Sequence, residues 1–129
     1  MQYLLDTVTL VRHFTGKGKI GQKASRVLDA IEESEDSFFV SVISLMEIMY
    51  LAEKNRIEIN LSETLNFIEA STKYTIINLS PDILRVAESV EFYELHDRLI
   101  LATAKWLGVI VISSDHEFEK VEDIQVLWD

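Results

Sequence analysis

Apolar positions along the chain keep two rhythms: short unbroken runs, and longer stretches spaced three and four residues apart. Runs such as YLL, FFV and VIVI have no polar face, so they predict strands covered on both sides. The wider spacing predicts helices that bury one stripe. Read in order, the pattern predicts a strand over 2–6, helices over 7–14 and 20–34, a strand over 37–41 and a helix over 43–55. It continues with a helix over 61–72, a strand over 74–79, helices over 81–92 and 96–107, a strand over 109–113 and a last strand near 124–127. Ser80 and Pro81 make a good helix start, as N-cap and first helical residue, and Gly108 is a natural stop. Strands alternating with helices imply a parallel sheet between helical layers. The expectation is an α/β fold over residues 1–129, organised as a single domain.

Composition agrees with that size. At 129 residues and 48% hydrophobic content the chain can bury a real core. No apolar run reaches the roughly 18 residues of a membrane span, and the N-terminus shows no basic stretch ahead of a signal-type apolar segment, so a soluble, cytoplasmic protein with no membrane partner is expected. Without cysteine there is no disulfide framework and no thiolate metal site. Any metal must take oxygen or imidazole ligands.

The net charge of −10 argues against nonspecific nucleic-acid binding. Its distribution is uneven, however. Arg12, Lys17, Lys19, Lys23 and Arg26 are five of the twelve basic residues, and no acid lies among them. Within this segment GKGKIG, residues 16–21, fits the G-x-G-x-x-G letters of dinucleotide-binding turns. That fingerprint requires a strand to run straight into the glycines and a helix to follow. Here TVTLVRHF intervenes with helical spacing, so the glycines predict a loop between two helices, and no dinucleotide partner is expected.

Four acids stand apart from the polar stretches that explain the others. Asp6 closes YLL and Asp115 follows VIVISS, both just past the carboxyl ends of predicted parallel strands, where open α/β sheets bind ligands. Glu47 is the only charge between Val40 and Ala52, and a lone carboxylate in apolar surroundings is costly unless paired or metal-bound. Asp97 begins the helix DRLILATAKWL. Taken singly, each could be a cap, a strand-end residue or half of an ion pair. If the four converge, their repulsion destabilises the metal-free site and a divalent cation relieves it. Oxygen ligands alone suit Mg²⁺ or Mn²⁺, and such an ion in a carboxylate cluster serves phosphodiester hydrolysis.

The order LLDT at 4–7, SVISLMEI at 41–48, HDRLILATA at 96–104 and VISSDHEF at 111–118 resembles the PIN-domain ribonucleases, especially the VapC-like toxins of toxin–antitoxin systems. The resemblance spans nearly the whole chain. It implies a PIN-like three-layer α/β/α domain and a metal-dependent endoribonuclease, with RNA as substrate and Mg²⁺ or Mn²⁺ as cofactor. It implies Asp6, Glu47, Asp97 and Asp115 as the acidic quartet that binds metal and catalyses, with Thr7 and Ser113 in support. A cognate antitoxin and a homodimer are the implied partners. Two features depart from the family pattern: Val8 replaces a common Asn or Ser, and the chain is acidic for an RNA-binding protein. The cationic glycine loop offers a remedy, with Arg12, Lys17 and Lys19 as candidates to hold substrate phosphates beside Asp6. His96 and His116 flank motif acids and are read as neighbours, not as general bases. The alternatives are a PIN-like module that binds RNA or protein without cutting, and a housekeeping RNA-processing nuclease. A phospho-accepting receiver domain is disfavoured, because Asp6 has no acidic neighbour and YTIINLS ends without an Asp.

Overall fold

The computed structural model describes residues 1–129. Its elements run β1 (Gln2–Leu5), α1 (Thr7–Thr15), α2 (Gln22–Asp29), β2 (Ser37–Ser41), α3 (Val42–Glu53), α4 (Leu61–Ala70) and β3 (Tyr74–Ile77). Then follow α5 (Pro81–Ala87), α6 (Leu95–Leu107), β4 (Ile110–Ile112), a 3₁₀ turn (His116–Lys120) and β5 (Val126–Leu127). The five strands form one sheet in the order β3-β2-β1-β4-β5, and every neighbouring pair is parallel. Helices cover both faces, giving the expected three-layer α/β architecture.

Side chains alternate across each strand, and β1 shows why its run had to be unbroken. Tyr3 and Leu5 point into the core under α1 to α4, while Leu4 points into the opposite core with Leu99, Ile100 and Phe118. Leu4 and Leu5 are both fully buried, a contribution of about 1.5–3 kcal/mol each. β4 repeats the arrangement, with Val111 on one face and Ile112 on the other.

Helix ends differ from the sequence reading where apolar spacing or side-chain competition stops them. α2 ends at Asp29, not at 34, because EESED offers nothing to bury; the Ala30 carbonyl instead accepts the N–H groups of Glu33 and Ser34 in turns. α5 ends at Ala87, not at 92. The Arg98 Nε donates to the Ala87 carbonyl at 2.8 Å, and the Ser89 hydroxyl takes that of Val86 at 2.7 Å. Side chains thus occupy acceptors a longer helix would need. The 3₁₀ turn after Asp115 had no periodic signal and was not predicted.

The glycine loop lies between α1 and α2. Gly16 is the left-handed C-cap of α1, its N–H bonded to the Arg12 carbonyl. Gly21 is buried beneath Trp128, and a Cβ there would come within 2.4 Å of the Trp128 carbonyl oxygen. No helix is long and apolar enough to cross a membrane.

Candidate active site

In a parallel sheet the crevice opens where neighbouring strands send their connections in opposite directions. Here β1 leads toward β2 and β4 toward β5, so the crevice falls at the carboxyl ends of β1 and β4. Asp6 stands there, directly after the last residue of β1.

Asp6 serves also as the N-cap of α1, its Oδ1 accepting the Thr9 N–H at 2.9 Å. Its Oδ2 accepts the Ser113 hydroxyl at 2.6 Å, a bond that ties the end of β1 to the segment after β4. The same Ser113 oxygen accepts the Asp115 N–H at 3.0 Å, so one hydroxyl fixes the positions of two acids. Asp115 then caps the 3₁₀ turn through the Glu117 N–H at 2.9 Å. Asp6 is buried, and desolvation raises its pKa against the downward pull of the Ser113 and Thr9 bonds; the charge of Asp115 adds to the rise.

The Thr7 hydroxyl joins β1 to α3. It lies 2.6 Å from Glu47 Oε1 and 2.9 Å from Ser44 Oγ. With one proton to give, it donates to the carboxylate, the shorter and charge-assisted contact, and Ser44 occupies a lone pair. Ser41 begins α3 by accepting the Ile43 N–H at 3.0 Å, which sets Glu47 one and a half turns along the helix. Glu47 therefore stands on the same side of the molecule as Asp6. It is half-buried, less enclosed than its apolar neighbours suggest, because Met46, Met49 and Tyr50 are exposed.

Asp97 lies in the first turn of α6, and its pKa is raised from 3.8 to about 7. Burial is the largest cause; the charges of Glu94, Glu47, Asp6 and Asp115 supply the others. That list places all four sequence-derived acids in one electrostatic field. It also names a fifth carboxylate that sequence reasoning missed. Glu94 is the N-cap of α6 and accepts the Asp97 N–H at 2.7 Å, while its other oxygen lies 2.9 Å from His96 Nδ1. Burial alone would raise Glu94, but the hydrogen bonds from Asp97 and His96 hold it below the ordinary value. The available signal was an acid three residues before Asp97, at capping distance; glutamate is an uncommon cap and drew no notice.

These donors fit a hard divalent cation in kind: carboxylates and hydroxyls, with no sulfur. The near-neutral pKa of Asp97 has the same meaning, since like charges held together favour a cation among them. The side chains do not form a closed cage, and no three His, Asp or Glu groups converge on one ion position. Asp6 and Glu47 turn oxygens toward Ser113 and Thr7 instead. The field is shared although the ligand shell is open.

Arg12, Lys17 and Lys19 are not brought to these acids. α1 is capped by Asp6 and leads away for nine residues, about 13 Å at 1.5 Å each, and in its last turns His13 Nε2 meets the Tyr74 hydroxyl at 2.7 Å, at the amino end of β3. Beyond it Lys17 Nζ bonds Glu58 at 2.8 Å, and Arg12 Nη1 donates to the Lys19 carbonyl at 2.9 Å. The glycine loop follows the far end of the helix that Asp6 caps. Arg98, beside Asp97 in sequence, is engaged by Ala87. His116 is exposed, 3.9 Å from Glu119.

Comparison with known proteins gives this edge a family. No curated protein matches the sequence. Solved structures do match in fold: VapBC2 of Rickettsia felis bound to a DNA fragment from its promoter, at a TM-score of 0.75 and 16% identity over 100% of both chains. A toxin–antitoxin complex of Klebsiella pneumoniae gives 0.65 and 24%, over 97% of this chain and 95% of that one. DNA-bound VapBC of Salmonella typhimurium gives 0.66 and 18%, over 98% and 97%. A sequence model of the PIN domain matches residues 3–124, nearly the full length, and the chain therefore belongs to the PIN-domain family.

Proposed function

We propose that this chain is a metal-dependent endoribonuclease, a single PIN domain over residues 1–129 that acts as the toxin of a toxin–antitoxin pair. The observation that carries the reading is that, at the sheet's crevice, burial together with the charges of Glu94, Glu47, Asp6 and Asp115 lifts Asp97 to about 7. These four residues would hold the cation, magnesium or manganese. When bound, it supplies a more acidic water and offsets the charge that builds on a phosphodiester under attack.

The chain's own residues set the stage for that chemistry. Thr7 holds Glu47 by a charge-assisted bond and so fixes one carboxylate oxygen. Ser113 holds Asp6 and Asp115 in fixed relation. Glu94 fixes the first turn of α6 through the Asp97 N–H, and thereby the backbone from which that carboxylate projects. Hydroxyl groups of this kind, behind metal ligands, orient them and sharpen affinity.

Partners follow from a different surface. Met46, Met49 and Tyr50 are exposed on α3, and with Leu51, His96 and Glu47 they line a cavity of about 440 Å³. An apolar wall beside a catalytic acid suits a protein that covers the site, and the matched structures are toxin–antitoxin assemblies. A cognate antitoxin is the occupant proposed. A homodimer and a cytoplasmic location complete the reading.

Purified protein should cut single-stranded RNA with magnesium or manganese and lose that activity with excess chelator. Undiminished cutting in chelator would remove the metal from the mechanism. Absence of cutting with either metal would favour a binding module instead.

A further inference from the structure

We infer that Tyr93 is a stacking platform for an unpaired nucleobase of the substrate strand, an assignment that rests on the nuclease reading above. The ring is 85% exposed, the most exposed of the large hydrophobic residues. It is nevertheless braced. Phe92 stacks beneath it at 4.9 Å between centroids and 23° between planes. Phe92 in turn meets Phe118 edge-on at 5.2 Å and 82°. Phe118 is 1% exposed, set in the core by the turn that Asp115 opens. A ladder of three rings therefore rises from the core to solvent, and its last face is free.

Its position gives that face a use. Tyr93 immediately precedes Glu94, which bonds Asp97, so Asp97 follows the ring's residue by four positions. Even a fully extended chain spans no more than about 14 Å over that distance. The foot of the ladder follows Asp115 by three residues, and the Phe118 N–H bonds the Asp115 carbonyl at 3.1 Å. The platform thus stands on the two segments that deliver the last two acids.

The surroundings favour a base over other occupants. Arg98 Nε is bonded to the Ala87 carbonyl and Lys120 pairs with Glu117, so the cations beside the ring are partly engaged within a chain of net charge −10. Stacking of a base on an aromatic face needs no positive charge. It requires a base outside a duplex, which points to a single-stranded or looped segment. A protein partner would want a continuous apolar patch, whereas the exposed apolar surface here is Tyr93 and Leu95, interrupted by Glu91 and Glu94.

The test uses Asp97→Asn protein, expected to bind without cutting, titrated with a fluorescent single-stranded oligoribonucleotide in magnesium. Adding Tyr93→Ala should raise Kd about tenfold, and Tyr93→Trp should keep it within about twofold. With Asp97 intact, Tyr93→Ala should raise KM and spare kcat. A duplex of the same sequence should bind equally well with or without the ring. Equal single-strand affinity for Tyr93→Ala and its parent overturns the platform and leaves the nuclease reading standing. A parent that neither binds nor cuts single strands overturns both. Weakened hold on a protein partner with unchanged oligonucleotide affinity assigns the ring to a protein contact and ends the proposal.

Discussion

The two ends of α1 resolve the same difficulty in opposite ways. At its far end, burial depresses the pKa of His13 and pushes Tyr74 up to about 12, so both are neutral near pH 7, and they satisfy each other across 2.7 Å. Lys17 has Glu58, and Arg12 has the Lys19 carbonyl. Nothing at that end asks for a further charge. At the near end carboxylates are crowded, partly buried and bound mainly to hydroxyls and N–H groups, with His96 beside Glu94 and no lysine or arginine paired to any of them. The difference teaches where to look for function: polar groups at one end are balanced within the chain, and those at the other are held in place yet remain electrostatically incomplete.

The largest break in that contrast should come from Asp97→Asn. Loss of a supporting partner behind a metal ligand costs about 10- to 100-fold, so loss of the acid itself should reduce RNA cleavage by at least roughly a hundredfold. The same change should raise the melting temperature of the metal-free protein, because it removes repulsion while keeping shape. A variant both inactive and less stable would count against a repulsive cluster. Thr7→Val comes next. It removes the donor to Glu47 at nearly constant volume, and cleavage should fall about 10- to 100-fold while the circular dichroism spectrum is unchanged. Full activity in Thr7→Val would show that Glu47 needs no such support.

A smaller effect should appear in stability against pH. The folded protein keeps a proton on Asp97 up to about 7, whereas the unfolded chain releases it near 3.8. A raised carboxyl pKa makes the folded state the greater proton binder between those values, so metal-free stability is greatest below the window and declines as pH rises through it. Asp6, also raised, contributes in the same direction. Thermal melts from pH 4 to 8 should show this decline, and magnesium or Asp97→Asn should flatten it; a flat profile for the metal-free parent would contradict the shift. The smallest effect belongs to the far end. Lys17→Glu with Lys19→Glu should leave cleavage and its salt dependence within about twofold, since the exposed Lys17–Glu58 pair is screened by solvent. A marked fall in cleavage, or a changed salt slope, would return the loop to the substrate path.

The sheet and its order of elements were legible because continuous apolar strands and amphipathic helices announce themselves by period. Asp6 and Asp115 were legible as positions for a related reason, since Asp6 directly follows such a run and Asp115 follows one after two serines. Other features depended on contacts that no local spacing encodes. The early end of α5 is set by Arg98 reaching back to Ala87 across eleven residues. Glu94 joins the field through a capping bond on a residue type seldom used for caps. The glycine loop was read as lying near Asp6 from its glycines, its charge and its place after the first helix, and local spacing does not encode the direction in which that nine-residue helix carries the chain.

The sheet order also carries a consequence for synthesis. β1 lies at the centre, yet it pairs with a strand about a hundred residues later, and Asp6 takes its hydroxyl partner from position 113. A nascent chain therefore displays its first carboxylate long before the fourth exists, and the crevice between β1 and β4 cannot form until residues 110–115 have been made.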